Sequence, residues 1–223
     1  MAERTEHGTG TIEVAAILFD IDGTLVDSTA AVERIWRAWG GQWGIDPASI
    51  LAVSHGRRSD DTIAELVPPE RRGAALRDVE AIEDAEAGDA AALPGVAALL
   101  HGLPEDAWAA VTSGRRAVME ARLAAAGLPV PRVLVAAEDV DRGKPDPQGY
   151  LLAAARLGVD AARCLVVEDA PAGVDAGLAA GATTLGVATS HPAEALGRAH
   201  AVLPDLRGLR ALPDDGGLRV RLG

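Results

Sequence analysis

The 223-residue sequence predicts an α/β fold: a doubly wound, mainly parallel, Rossmann-like sheet with an all-helical block inserted after its first strand. Three observations carry this. Short apolar runs without polar alternation recur along the chain, as strands covered on both faces of a parallel sheet require. Helical patterns separate most of them, which is the rhythm of strand, crossover and strand. One long stretch, from about Ser28 to Ala92, has helical patterns and no strand.

The apolar runs fall at 15–19, 108–111, 133–136, 164–167 and 183–187, with a weaker one at 201–203. Helices are expected over 117–126, 148–157 and 172–180, and Gly127 and Gly158 stand where a glycine ends a helix. In the inserted block, Ser28 is the expected N-cap of a helix reaching Trp39, and Gly40–Gly41 argue against its continuing. Further helices are expected over 47–53, 60–66 and 69–87. The chain therefore divides into a tail (1–12), an α/β core (13–26 and 93–223) and a helical cap (27–92), with hinges near 26–27 and 92–94. The last segment, 217–223, reads as an edge strand or a loose tail.

The formal net charge of −12 argues against nucleic acid or an anionic membrane as partner. No run approaches the ~20 apolar residues of a membrane helix, and the first residues lack the apolar stretch of a signal peptide. The single cysteine, Cys164, lies in an apolar run and reads as a buried, inert thiol. A cytoplasmic protein, either a monomer or a small homo-oligomer, is the expectation. An anionic substrate would need a local cationic site, because the overall field repels it.

The chemistry-bearing residues gather beyond strand ends, where open α/β sheets bind ligands. Asp20 follows the first strand, Thr112 and Ser113 the second, Lys144 lies past the third, and Glu168 and Asp169 follow the fourth. Asp20 and Asp22 are two apart in an extended segment and so face the same side. Carboxylates that close call for a cation, and Glu168–Asp169 add oxygen donors of the hard type that suits Mg²⁺. Gly23 allows the chain to turn sharply after them. Lys144 is the only lysine against twenty arginines, and a compact ammonium suits one phosphate oxygen or a neighbouring carboxylate.

The segments DIDGTL, VTSG, GKPDP and VVEDAPAG resemble, in order, the motifs of the haloacid dehalogenase superfamily, over about residues 17–187. The cap segment SHGRR and the form of the last motif look closest to its sugar phosphatase branch, which includes glycerol-3-phosphate and 2-deoxyglucose-6-phosphate phosphatases. The resemblance implies a Mg²⁺-dependent phosphatase acting on a small phosphate ester. It implies that Asp20 attacks phosphorus and that Asp22 is the general acid and base. Thr112 and the Ser113 backbone would bind a phosphoryl oxygen, and Lys144 would hold Asp20 and the phosphate. Mg²⁺ would be bound by Asp20, the Asp22 carbonyl and Asp169, with Glu168 a ligand or a support behind the ligands.

In the cap, His55 is a candidate partner for a substrate hydroxyl and Arg57 or Arg58 for an anionic group; a solvated loop is the other reading. Trp36, Trp39 and Trp43 share one helical face, as a small cap core or as a wall of the substrate pocket. Among relatives of the resembled family, Asp22 argues against a dehalogenase and the absence of a cap lysine against a phosphonate hydrolase; a P-type ATPase would need membrane helices. A β-phosphoglucomutase stays open, as does a non-catalytic sugar-phosphate sensor on the same fold.

Overall fold

The computed structural model describes residues 11–214 and 216–223. Along the chain, β1 (Thr11–Val14) and β2 (Ala16–Phe19) are followed by the short β3 (Val26–Asp27), then by α1 (Thr29–Trp43), α2 (Pro47–Ser54), α3 (Ser59–Leu66) and α4 (Arg72–Glu86). β4 (Ala91–Ala92) returns antiparallel to β3, pairing Val26 with Ala92 and Asp27 with Ala91. Then come α5 (Val96–His101), β5 (Trp108–Val111), α6 (Arg116–Ala125), β6 (Leu134–Val135) and α7 (Gln148–Leu157). β7 (Cys164–Glu168), α8 (Pro171–Ala179), β8 (Thr183–Val187), β9 (Ala201–Leu203), β10 (Leu209–Asp214) and β11 (Gly217–Leu222) complete it.

The main sheet has six parallel strands in the order β6-β5-β2-β7-β8-β9. From β2 the chain moves out through β5 and β6, then crosses back to β7 and moves out the other way. The order reverses beside β2, which places a ligand crevice at the carboxyl ends of β2, β5 and β7. Alternation along the buried strands feeds two cores. Ile17, Phe19, Trp108, Leu165 and Val167 pack on one face. Leu18, Ala109, Val111 and Val166 pack on the other with Tyr150 of α7 and Ala176 of α8. Among the described residues, no helix is long and apolar enough to cross a membrane.

The four helices between β3 and β4 hold a third apolar cluster of their own, around Trp39, Ile50, Ile63 and Val79. Trp39 is fully buried, donates its indole N–H to the Ala75 carbonyl and packs edge-on to Trp36. The tryptophans thus form the cap core, although Trp36 also borders the cavity below.

Three expectations are corrected here. Helix α1 runs through Gly40–Gly41 to Trp43 and stops at Gly44 in the left-handed conformation. A Cβ on Gly40 would come within 2.8 Å of the Ile45 carbonyl and of Ile50, so this glycine permits close packing rather than ending the helix. Residues 11–12 belong to strand β1 rather than a tail; residues 1–10 lie outside the described residues. The segment 217–223 is neither edge nor tail: β11 is the middle strand of an antiparallel sheet β1-β11-β10. Leu218 and Val220 turn into the core while Arg219 and Arg221 face out. Each strand gains its ladder from a partner about 200 residues away or across a turn, which local patterning does not signal.

Candidate active site

The floor of the crevice is a closed network of charges. Lys144 reaches it from the loop before α7, which contains a cis Lys144–Pro145 bond. Its Nζ donates to Asp20 Oδ1 at 2.5 Å, Glu168 Oε1 at 2.6 Å and the Val111 carbonyl at 3.2 Å, which uses all three of its N–H groups. Glu168 is fully engaged too. Its Oε1 also accepts from the Tyr150 hydroxyl at 2.9 Å, and its Oε2 accepts the backbone N–H groups of Asp169 and Ala170. Asp169 accepts from Thr24 Oγ1 through one oxygen and from the Ser190 hydroxyl through the other. Asp20, Lys144, Glu168 and Asp169 are all buried.

Backbone geometry sets this density. Gly23 takes φ +82° directly under Asp169. At Gly173, in the first turn of α8, any Cβ would overlap the Glu168 carboxylate, so only glycine lets that helix lie against the buried acid.

Three buried carboxylates against one ammonium leave an excess of negative charge. Burial opposes the charge on Lys144, but Asp20 and Glu168 more than offset it and hold the ammonium well above its ordinary pKa. Burial pushes the Asp20 carboxyl well up, against the pull of Lys144 and with Glu168 and Asp169 adding to it. Asp169 is pushed up to about 7, by burial and then by Glu168, against its hydrogen bond from Ser190. Ligand atoms of Asp20, Glu168 and Asp169 lie within 4.8 Å of one another. A small divalent cation with a preference for hard oxygen would relieve this strain, so the residues fit the metal that the sequence implies.

Asp22 sits at the rim of the same cavity. Its Oδ1 accepts from Ser28 Oγ at 2.6 Å and its Oδ2 from Arg122 Nη1 at 2.6 Å. Ser28, expected to cap α1, stands at the cap position; its side chain makes no capping bond there, and its hydroxyl donates to Asp22. Thr112 borders the cavity and accepts the Gly114 N–H at 3.0 Å. The Ser113 hydroxyl reaches the Gly56 carbonyl of the cap at 2.8 Å.

The cap closes over this floor. Ser54, His55, Gly56 and Arg57 line the cavity together with Trp36, Glu83 and the core residues. Arg57 is paired with Glu65 at 2.8 Å. Arg58 is paired with Asp61 and donates to the carbonyls of Val140 and Asp141, so it fastens the cap to the core loop before Lys144. Arg115 crosses the other way to Glu83 and Asp84. Each arginine expected to grip an anion thus has an internal partner. Burial lowers the His55 pKa, with His191 adding to it, so a neutral imidazole faces the cavity. Ser54 Oγ is buried there and has no hydrogen-bond partner among the described residues.

Sequence reading missed Tyr150, Ser190 and Arg122. Tyr150 and Ser190 are polar tips on otherwise ordinary segments and gave no signal. Arg122 did give one: it lies among Val118, Met119 and Leu123 on the buried face of α6, and a charge in an apolar stripe needs a partner.

Residues 14–181 match the haloacid dehalogenase-like hydrolase family. Over 178 residues the chain is 46% identical to hexitol phosphatase A of Escherichia coli, covering 76% of this chain and 81% of that protein. Glycerol-1-phosphate phosphohydrolase 2 of Saccharomyces cerevisiae is 35% identical over 191 residues, covering 80% and 76%. Among solved structures, a hydrolase from Pseudomonas syringae superposes with a TM-score of 0.78 at 26% identity, covering 86% of this chain and 94% of that one. With the motifs, the sheet order and the charge network in agreement, the chain belongs to the haloacid dehalogenase-like hydrolase family.

Proposed function

We propose that this protein is a Mg²⁺-dependent phosphatase that hydrolyses small sugar or polyol phosphates through an aspartyl phosphate on Asp20. The observation that carries the reading is the buried Asp20–Lys144–Glu168–Asp169 network at the floor of a cavity whose rim holds a second carboxyl, Asp22. The names of the hexitol and glycerol-1-phosphate relatives support the substrate class.

In the first step a carboxylate oxygen of Asp20 bonds to phosphorus as the ester P–O bond breaks. The departing alkoxide takes a proton from Asp22. In the second step Asp22 takes a proton from water, whose oxygen attacks phosphorus and releases inorganic phosphate and free Asp20. Thr112 and the loop behind it receive a phosphoryl oxygen. Lys144 holds Asp20 in place and offsets charge on the transferring group. Asp20, Asp169 and the Asp22 carbonyl would hold Mg²⁺, which supplies charge neutralisation when bound. Glu168 stands behind them: its oxygens are taken by Lys144, Tyr150 and two backbone amides. The cavity wall supports a substrate whose remainder is uncharged and rich in hydroxyls. The cap arginines are already paired, and neutral His55 faces the cavity.

The test is phosphate release from glycerol, hexitol and hexose phosphates and phosphoglycolate, with Mg²⁺ and with EDTA. Asp20→Asn should lower release by at least about 10⁴-fold, and EDTA should abolish it. Conversion of β-glucose 1-phosphate to the 6-phosphate without release would replace the phosphatase reading by a mutase. Binding of esters without either reaction would make the protein a sensor.

A further inference from the structure

We propose that Arg122 is a positioning residue that fixes the Asp22 carboxyl for proton transfer to the leaving group. The inference rests on the reading of Asp22 as general acid. Arg122 is 3% exposed, yet among the described residues its one hydrogen bond goes from Nη1 to Asp22 Oδ2, at 2.6 Å. Its Nε is buried and has no partner among the described residues. A guanidinium kept for stability would meet several carbonyls or carboxylates, because a buried ion pair contributes little stability beyond the desolvation it incurs. This one is desolvated for the sake of a single carboxylate oxygen.

The second oxygen of Asp22 is taken by the Ser28 hydroxyl, at 2.6 Å. With one bond on each oxygen, the plane of the carboxyl is set rather than left to rotate. The two anchors come from different parts of the molecule: Ser28 begins the cap, and Arg122 projects from α6 of the core. Arg122 also borders the catalytic cavity, so the pair is part of its wall rather than a distant surface bridge. A proton donor must be held within hydrogen-bond reach of the oxygen it serves, and small displacements of such groups cost large factors in rate.

The discriminating readout is the dependence on the leaving group. p-Nitrophenolate departs as an anion and needs no proton, whereas the alkoxide of glycerol phosphate does. First-turnover release of the alcohol is therefore compared for both esters in the wild type, Arg122→Met, Arg122→Lys and Asp22→Asn. In Arg122→Met the glycerol phosphate rate should fall roughly 100-fold, at the lower end of general-acid contributions, while the aryl rate changes less than about 3-fold. Arg122→Lys, which keeps the charge and is the variant less prone to misfold, should recover part of the loss. Equal losses on both esters, or a raised KM with kcat intact, would overturn the proposal in favour of a structural or a substrate-binding arginine. If Arg122→Met and Arg122→Lys leave both esters unchanged while Asp22→Asn shows the split, Arg122 has no such role. If Asp22→Asn itself shows no split, the general-acid reading fails and takes this inference with it.

Discussion

The floor and the wall of the cavity are built on different terms. On the floor every polar atom of Lys144 and Glu168 has a partner, and the groups are buried among the strand ends. On the wall, Ser54 Oγ has no partner, and Arg57 is spent on a cap carboxylate. A satisfied buried network fixes one geometry, because any displacement leaves a charge unpaired in low dielectric. The wall holds no such network among the described residues; its Arg57 is paired within the cap, and neutral His55 faces the cavity. The floor is thus suited to one invariant group, the phosphoryl, and the wall to whatever the substrate carries beyond it.

Breaking the floor should have the largest effect. Lys144→Met leaves Asp20 and Glu168 buried without their cation, so unfolding free energy should drop by on the order of 3–5 kcal/mol in urea titration. Phosphate release should be lost as well. Retained stability would mean that the network is far better hydrated than its burial indicates.

Gly173→Ala strikes the same network through the backbone. Its Cβ meets a Glu168 carboxylate that four donors hold in place, so neither side can yield easily. A loss of about 1–3 kcal/mol is expected, the usual range for overpacking. An unchanged midpoint would show that α8 can slide away from the acid.

Metal and proton should compete on the floor. Asp169 stands at about 7 without metal, above its unfolded value, so between the two the folded state binds more protons than the unfolded. Its contribution to metal-free stability is therefore present at low pH and lost as pH rises through about 7. Mg²⁺ bound here would stabilise the ionised cluster, so the rise in Tm on adding Mg²⁺ should be larger at about pH 8 than at about pH 6. Equal rises at both would remove Asp169 from the ligand set.

The wall should respond least. Ser54→Ala removes a buried hydroxyl that has no partner, so stability should stay level or rise by up to about 1 kcal/mol. A clear loss of stability would show that the hydroxyl has a partner in the free protein.

How much of this was legible depends on the range of the interaction. The strands of the main sheet, the helical insertion and the floor residues Asp20, Thr112, Lys144, Glu168 and Asp169 could all be read from local pattern. Each sits a residue or a short loop beyond an apolar run, and a parallel sheet brings such positions to one edge. Strands β1, β10 and β11 were not legible as a sheet, since their pairing joins the two ends of the described chain. Ser28 stands before α1, where its local signal places it, but that signal covers only part of what the residue does. What that local signal does not show is the hydrogen bond: the turn at Gly23 brings Asp22 beside it, and the Ser28 hydroxyl donates to that carboxylate.

By itself, then, the sequence determined the fold class and the gathering of Asp20, Thr112, Lys144, Glu168 and Asp169 at one edge of the sheet, because periodicity and strand-end placement are properties of short segments. Only the tertiary structure decided which charges neutralise one another. Arg57 and Arg58 looked free to take an anion until Glu65 and Asp61 appeared beside them, and Arg122, a charge in an apolar stripe, called for a partner that only the fold identifies as Asp22, across 100 positions of chain. Coulombic partners are chosen by distance in space and by shared burial, and neither is encoded in separation along the chain.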